Sequence, residues 1–581
     1  MADFLARLRQ RKLVQWTLAY VAFGFALLQG IDIVAQRFAW PASIEQLLIL
    51  ALAVGFCITL VLAWYHGERG AQRVSGTELG ILAVLLVIGG MLLWRFEHAA
   101  LAATQAMAPA TSPATALSKS VAVLPFVNMS GDPANEYFSD GVTEEILNAL
   151  TQVPDLKVAA RTSAFAFKGK AEDLRAVGLA LGVATVLEGS VQRAGDEVRI
   201  TAQLIDARNG YHLWSEKYDR KLTNIFAVED EISQAIAEKL KVQLAGTGGR
   251  PLVAQATVDP RAHDFYLRGL TLLAARSVSE AVAAFQQAVT IDPGYAHAWA
   301  ALAEAQALLP TYGPEAMQSA NADAISSARH ALTLDPGNAQ AYVALGMVYS
   351  NQRRWADADR VLRHAVQLAP GDAEVLNQYA QFLEAVGQLD AALVQLDRAL
   401  QRDPLSGVSG AIRVQLRLNQ HRDTPATAAA RIGDSVAAHP GNLFVHRSAT
   451  LIYLALRRYP EAEAQVRQAG LVNGSDPDAM ALVIRGIADP SQRARALRSL
   501  ETDAGNANLR RDPVVHALYL MQLDERDRAL DLLGHQDFSR TSTIPQLLWL
   551  WPFDPVRDDP RFKAVLARLG LPYAPMATNT P

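Results

Sequence analysis

The chain has 581 residues, half of them hydrophobic and only 19% charged, a greasy composition for a soluble protein and room for several domains. Its 54 Lys plus Arg against 58 Asp plus Glu leave a formal charge of −4, which excludes the basic bias of a nucleic-acid-binding protein. A single cysteine, Cys57, excludes an intrachain disulfide and a cysteine-based zinc cluster.

The long apolar runs gather before residue 96. Residues 13–35, 47–65 and 77–95 are each of a length to cross ~30 Å of hydrocarbon at ~1.5 Å per residue, so three transmembrane helices are predicted. Trp16, Trp40, Trp64 and Trp94 lie near the run ends, where amphipathic rings prefer the headgroup level. Arg7, Arg9, Arg11, Lys12, Arg69 and Arg73 flank one side and Arg37 and Arg95 the other, which predicts a cytoplasmic amino terminus in a bacterial inner membrane and a periplasmic bulk. A cleaved signal peptide fits less well, because the first run is too long and two more follow. Residues 98–118 lack Asp, Glu, Lys and Arg and are rich in Ala, Thr, Ser and Pro, the composition of a flexible tether.

From Lys119 short β-branched runs set in. A strand is expected over Ser120–Phe126, an amphipathic helix over Asp140–Leu150 and a second strand over Leu156–Ala160, with a further helix over Asp173–Leu181. A meander follows: Thr185–Arg193, a turn at Ala194-Gly195-Asp196, then Val198–Asp206, where Val198, Ile200, Ala202 and Leu204 alternate with polar residues. Asn209-Gly210 tolerates positive φ and predicts a hairpin into Tyr211–Tyr218. A helix carrying Val228, Ile232, Ile236 and Leu240 closes this mixed α/β domain near residue 244.

The segments VAVLPFVNMSGDPANEYFSDGVTEEIL, LKVAARTSAFAFKGK and LEGSVQRAGDEVRITAQLIDARNGYHLWSEKYDR resemble the TolB-amino-terminal-like domain, related to FlgO, of bacterial membrane proteins, and the match spans residues 119–244. In that family the domain commonly stands beside tetratricopeptide repeats, and in relatives beside an adenylate cyclase or a winged-helix domain. No segment of this chain reads as either of the last two.

Gly246, Gly248 and Gly249 sit in a linker, 245–260, that lacks the Gly-Lys-Ser/Thr of a phosphate loop. Beyond it Pro336, Pro370 and Pro404 are spaced by 34 residues, with Pro293 and Pro440 outside them. Tyr342, Leu345, Gly346, Tyr349, Ala358, Leu362 and Ala365 match the tetratricopeptide pattern, and Leu376, Tyr379, Ala380, Leu383, Ala392, Leu396 and Ala399 repeat it. Small residues at the crossing let two antiparallel helices approach, and large ones fill the seam. About six such units are expected over 261–475, then irregular helices, with LLWLWPFDPVRDDPRFKAVLARLGLP near the end capping the array. The expected fold is thus multidomain: three transmembrane helices, a mixed α/β domain and an all-α tetratricopeptide solenoid.

No nucleophile elbow, zinc-protease motif, phosphate loop or dinucleotide fingerprint occurs, so neither enzymatic activity, metal nor cofactor is expected. Ser139-Asp140 with Glu144-Glu145 reads as an acidic helix start. What remains is a binding surface on the inner face of the repeats: His297, Glu304, Gln340, Met347, Ser350, Glu374, Asn377, Gln381 and Glu384, polar residues suited to an extended peptide. The sequence therefore predicts a membrane-anchored scaffold that binds protein or peptide partners outside the cytoplasm, and no nucleic acid. The alternative is a transmembrane sensor whose α/β domain detects a ligand and relays it to a cytoplasmic partner.

Overall fold

The computed structural model describes residues 119–571, except 152, 154–155, 171, 222–224, 241–258, 313–316 and 539–543. The runs 13–35, 47–65 and 77–95 lie outside the described residues, and so does the tether. Among the described residues no helix is long and apolar enough to cross a membrane. The expected fold class is therefore corrected: what is found is a small sheet domain leading into an all-α solenoid, and the lipid contact expected of three spans has no counterpart in it. The physical reason is visible in the longest described helix, Met317–Leu334: it alternates Ala with Ser, Asn, Asp, Arg and His, so only one side of it is apolar.

The sheet domain begins with β1 (Ser120–Val123), β2 (Val127–Asn128), α1 (Glu136–Thr151), β3 (Lys157–Val158), α2 (Arg161–Phe165) and α3 (Leu174–Leu181). It continues through β4 (Thr185–Ala194), β5 (Glu197–Asp206), β6 (His212–Lys221) and α4 (Ile225–Lys239). The strand order is β3-β1-β4-β5-β6, with β2 also paired to β4. β1 runs parallel to β3 and β4, whereas β4, β5 and β6 form the antiparallel meander. Val198, Ile200, Ala202 and Leu204 of β5 are buried while Arg199, Thr201 and Gln203 between them are more open, the alternation of a half-buried strand, and the strand's end at Ile205 and Asp206 is buried on both faces. Helix α1 starts at Glu136, four residues before the expected Asp140, because Asp132 caps a 3-10 turn at Pro133–Asn135 that feeds directly into it.

Helix pairs follow. The first three are α5 (Pro260–Ala274) with α6 (Val278–Ile291), α7 (Ala296–Tyr312) with α8 (Met317–Leu334), and α9 (Ala339–Asn351) with α10 (Trp355–Leu368). Next come α11 (Ala373–Ala385) with α12 (Leu389–Arg402), α13 (Gly407–Asn419) with α14 (Pro425–Ala438), and α15 (Leu443–Ala455) with α16 (Tyr459–Asn473). The breaks at Pro336, Pro370, Pro404 and Pro440 share one chemistry: Pro cannot continue the preceding helix, and two residues later a polar side chain caps the next one. Asn338 accepts from Ala341 N, Asp372 from Glu374 N and Val375 N, Ser406 from Ser409 N and Asn442 from Val445 N. Within pairs, Arg276, Arg353, Gly387, His421 and Arg457 turn the chain at positive φ. At Gly346 an added Cβ would lie 2.4 Å from Leu362 Cγ, so glycine is what lets α9 meet α10.

Two further pairs extend the array: α17 (Pro477–Ala488) with α18 (Arg493–Thr502), then, after the short α19 (Ala507–Arg511), α20 (Pro513–Gln522) with α21 (Arg526–His535). Two 3-10 segments, Pro545–Trp549 and Trp551–Val556, and α22 (Pro560–Arg568) complete the described chain.

The sheet domain shares its core with the first repeats. One buried apolar cluster runs from Val121 through Phe138, Ile200 and Ile232 to Tyr266, Phe285 and Leu302. Gly141 marks the contact of α1 with α5, since a Cβ there would fall 2.5 Å from Leu267 Cδ1. Tyr137 Oη donates to Asp264 at 2.7 Å and Arg193 reaches the same carboxylate at 2.7 Å. A second joint lies farther along: Ala160 N donates to Arg402 O at 3.0 Å, and Ser163 Oγ donates to Asp403 and accepts from Leu405 N.

Candidate functional site: the inner face of the repeats

First helices touch one another directly, α7 with α9, α9 with α11 and α13 with α15, which places them on the inside of the solenoid's curve. The residues expected to face a ligand lie on three of them. His297 and Glu304 sit on α7, Gln340, Met347 and Ser350 on α9, and Glu374, Asn377, Gln381 and Glu384 on α11.

The structure brings part of this set together electrostatically. Burial pushes the Glu304 carboxyl up to about 7, and the like charge of Glu374 adds to the effect, with Arg276 opposing and Asp372 and Glu144 reinforcing. Glu374 is raised as well, by low-dielectric surroundings although its surface is solvent-exposed, while the Gln378 amide donating at 2.7 Å works the other way. Low-dielectric surroundings also lower His297 from the usual imidazole value although its surface is exposed, and Asp335 opposes the shift. Gln340 is half-buried with its Oε1 enclosed and without a hydrogen-bond partner.

Other members do internal work. Ser350 Oγ donates back to Gly346 O at 2.8 Å, and Met347 packs against the apolar core. Asn377 is 5% exposed and accepts from Ser409 Oγ at 3.1 Å, tying α11 to α13. Glu384 is 3% exposed, and burial pushes its carboxyl up to about 8. The half-exposed or exposed members His297, Glu304, Gln340, Glu374 and Gln381 are what a partner can reach.

Sequence reading missed what covers the far part of this face. The turn Val386–Gln388 uses the carbonyls of Phe382, Leu383 and Glu384, leaving the Ala385 carbonyl at the end of α11. Trp549 Nε1 donates to it at 3.0 Å, Gln546 Nε2 donates to Gln381 O at 3.3 Å, and Asn419 Nδ2 holds Trp549 O at 2.9 Å. Farther on, Trp355 Nε1 donates to Leu569 O at 2.7 Å and Arg353 donates to Phe538 O. The carboxy-terminal segment, expected to cap the end of the array, packs on α21 and also reaches back to the α9–α10 turn, α10, α11 and α13. Its Trp549, Phe553 and Phe562 are fully buried. The aromatic side chains in LLWLWPFDPVRDDPRF were a signal that this stretch has more to bury than a short cap needs.

Residues 339–372 match the tetratricopeptide repeat family model. A Rhizobium meliloti (strain 1021) protein named "Putative adenylate cyclase 3" is 47% identical over 186 residues, 32% of this chain and 32% of that one, so the chain spans about a third of the length of the curated relative it matches. The relative bears an enzyme's name, and the expectation that this chain is no enzyme is corrected on that finding. Catalytic sites assembled from residues far apart in sequence carry no short contiguous motif, so the lack of the four motifs leaves an enzymatic activity open. Solved structures similar to this chain include Pseudomonas aeruginosa pilF, at 21% identity and TM-score 0.28 over 40% of this chain and 96% of that one. A thermophilic tetratricopeptide protein of Thermus thermophilus matches at 19% identity and TM-score 0.29, over 34% and 99%. With the family model on α9 and α10 and the same capped helix pairs on either side, the chain carries tetratricopeptide repeats.

Proposed function

We propose that the chain is an interaction scaffold that holds a protein or peptide segment on the inner face of its tetratricopeptide repeats. The observation that carries this reading is the unmet polar capacity of that face: Gln340 Oε1 has no donor, and the Glu304 carboxyl is raised in the company of Glu374, Asp372 and Glu144. A segment bearing Lys or Arg and free backbone N–H groups supplies what these acceptors lack. Crosslinking of Glu304→Gln plus Glu374→Gln against the parent chain tests it. Partner recovery should fall at least several-fold in the double variant and stay unchanged in Arg360→Ala on the outer helix α10; equal recovery in all three overturns the reading.

The same reading places the array outside the cytoplasm of a bacterium, on the asymmetry of Lys and Arg in residues 1–97. Reporter fusions after Ser118 and at Pro581 test this, and cytoplasmic activity at both points overturns it.

A second reading follows from the name of the R. meliloti relative, whose shared 186 residues link this chain to a protein named for nucleotide cyclisation. Under it, the purified chain with ATP and a divalent cation forms cyclic AMP; no product above a heat-inactivated control would remove it.

A further inference from the structure

The face proposed to bind a partner already holds a peptide: the chain's own residues 545–556. Their contacts with α11 and α13 are those of a ligand in a groove. Trp549 inserts its indole fully buried and donates to the Ala385 carbonyl at 3.0 Å. Gln546 donates to the Gln381 carbonyl at 3.3 Å, and Asn419 closes on the Trp549 carbonyl at 2.9 Å. Both acceptors on α11 are backbone carbonyls, and Asn419 in turn grips the main chain of the segment.

The fit is also imperfect where it crosses the expected site. Gln546 Oε1 is buried without a partner, and Glu384, one residue before Ala385, is buried as well. A buried acceptor without a donor weakens the state that contains it. The segment is thus seated by Trp549 and Asn419 and strained at Gln546, an arrangement that a better-matched segment can displace.

We propose that residues 545–556 are an autoinhibitory occupant of the inner face, and that the partner is a protein segment of the same chemistry, a short turn carrying an indole with Pro-Phe beginning three residues beyond it, which must displace them. This rests on the reading of the inner face as the partner site. While the resident segment is seated only the open fraction of molecules can bind, and the apparent affinity falls by that fraction.

The probe is a fluorescein-labelled peptide of residues 545–556, its binding to the full chain read by polarisation. The parent chain should bind it weakly, and Trp549→Ala at least about tenfold more tightly because its own segment no longer holds the seat. Adding Asn419→Ala to that variant should weaken binding again. Because Trp549→Ala can perturb folding, a second form keeps the test decisive: Gln381→Cys plus Gln546→Cys, with Cys57→Ser, joined by a short bismaleimide crosslink. The crosslinked chain should bind no peptide, whereas the same double-cysteine chain before crosslinking should bind it at least as well as the parent, because its segment has lost the Gln546 contact. Peptide binding unaffected by the crosslink, or no binding to a folded Trp549→Ala chain, overturns the proposal. Neither result depends on the partner-recovery test of Glu304 and Glu374, so the two readings fail separately.

Discussion

The indole Nε1 of Trp549 donates to the carbonyl oxygen of Ala385 at 3.0 Å, closing a contact across 164 positions of sequence. It satisfies a helix-end carbonyl that the turn to α12 leaves over, and it buries the largest side chain of the carboxy-terminal segment. Trp549→Phe keeps much of the apolar area but strands that carbonyl, at a cost of about 1–3 kcal/mol. Trp549→Ala adds a cavity, and the loss grows to about 3–5 kcal/mol. Urea unfolding should rank the chains parent, Phe, Ala; coincident midpoints would contradict the contact's role.

Gly346 and Leu362 set the spacing of α9 and α10. Gly346→Ala places a Cβ 2.4 Å from Leu362 Cγ, and overpacking of this kind costs about 1–3 kcal/mol. Leu362→Ala alone leaves a hole. Because each change relieves the other, the double variant should be more stable than the sum of the single losses predicts, which a thermal-melting cycle measures.

Much of this architecture was legible because it rests on local chemistry. Pro336, Pro370 and Pro404 fall where helices must stop, and Asn338, Asp372 and Ser406 where the next must be capped, so the period appears in the sequence itself. Asn209-Gly210 likewise announced the β5–β6 turn, where Gly210 takes positive φ. The site was legible only in part, because exposure depends on neighbours distant in sequence. Asn377 occupies an inner-face position by helical phase, yet Ser409 of the next repeat claims its side chain. Gln381 offers its backbone to Gln546, which a helix template cannot foresee. Gly141 read as part of a helix start because its contact, Leu267, lies in another domain by sequence.

Glu384 gives the fold a pH dependence of definite sign. Burial raises its carboxyl from 4.5 to about 8, so the folded chain binds a proton that the unfolded chain has released over that interval. The associated stability is fully present below pH 4.5 and is lost as pH rises through 8, with a slope of at most about 1.4 kcal/mol per pH unit. Glu384→Gln should remove this slope. Denaturant midpoints at pH 5 and pH 8 should therefore differ less in the variant than in the parent, and an unchanged difference would exclude Glu384 as its source.

A helix-pair turn that passes through positive φ stores conformational strain unless glycine occupies that position. Gly387 sits at φ 79° and Arg457 at φ 56° in equivalent turns. Gly387→Ala should destabilise by about 1 kcal/mol, whereas Arg457→Gly should be neutral or stabilising, since a side chain in the left-handed region costs about 1–2 kcal/mol. Melting temperatures moving in the same direction for both would contradict the shared turn geometry.

The most direct test of the account is where a partner touches the repeats. A photoreactive amino acid placed at Gln340 on α9, and in a separate chain at Arg360 on the outer face of α10, reports contact on the two sides in living cells. A partner seated on the inner face gives a discrete protein adduct from position 340 that is absent from position 360; adducts from 360 alone, or equally from both, would contradict an inner-face binding site.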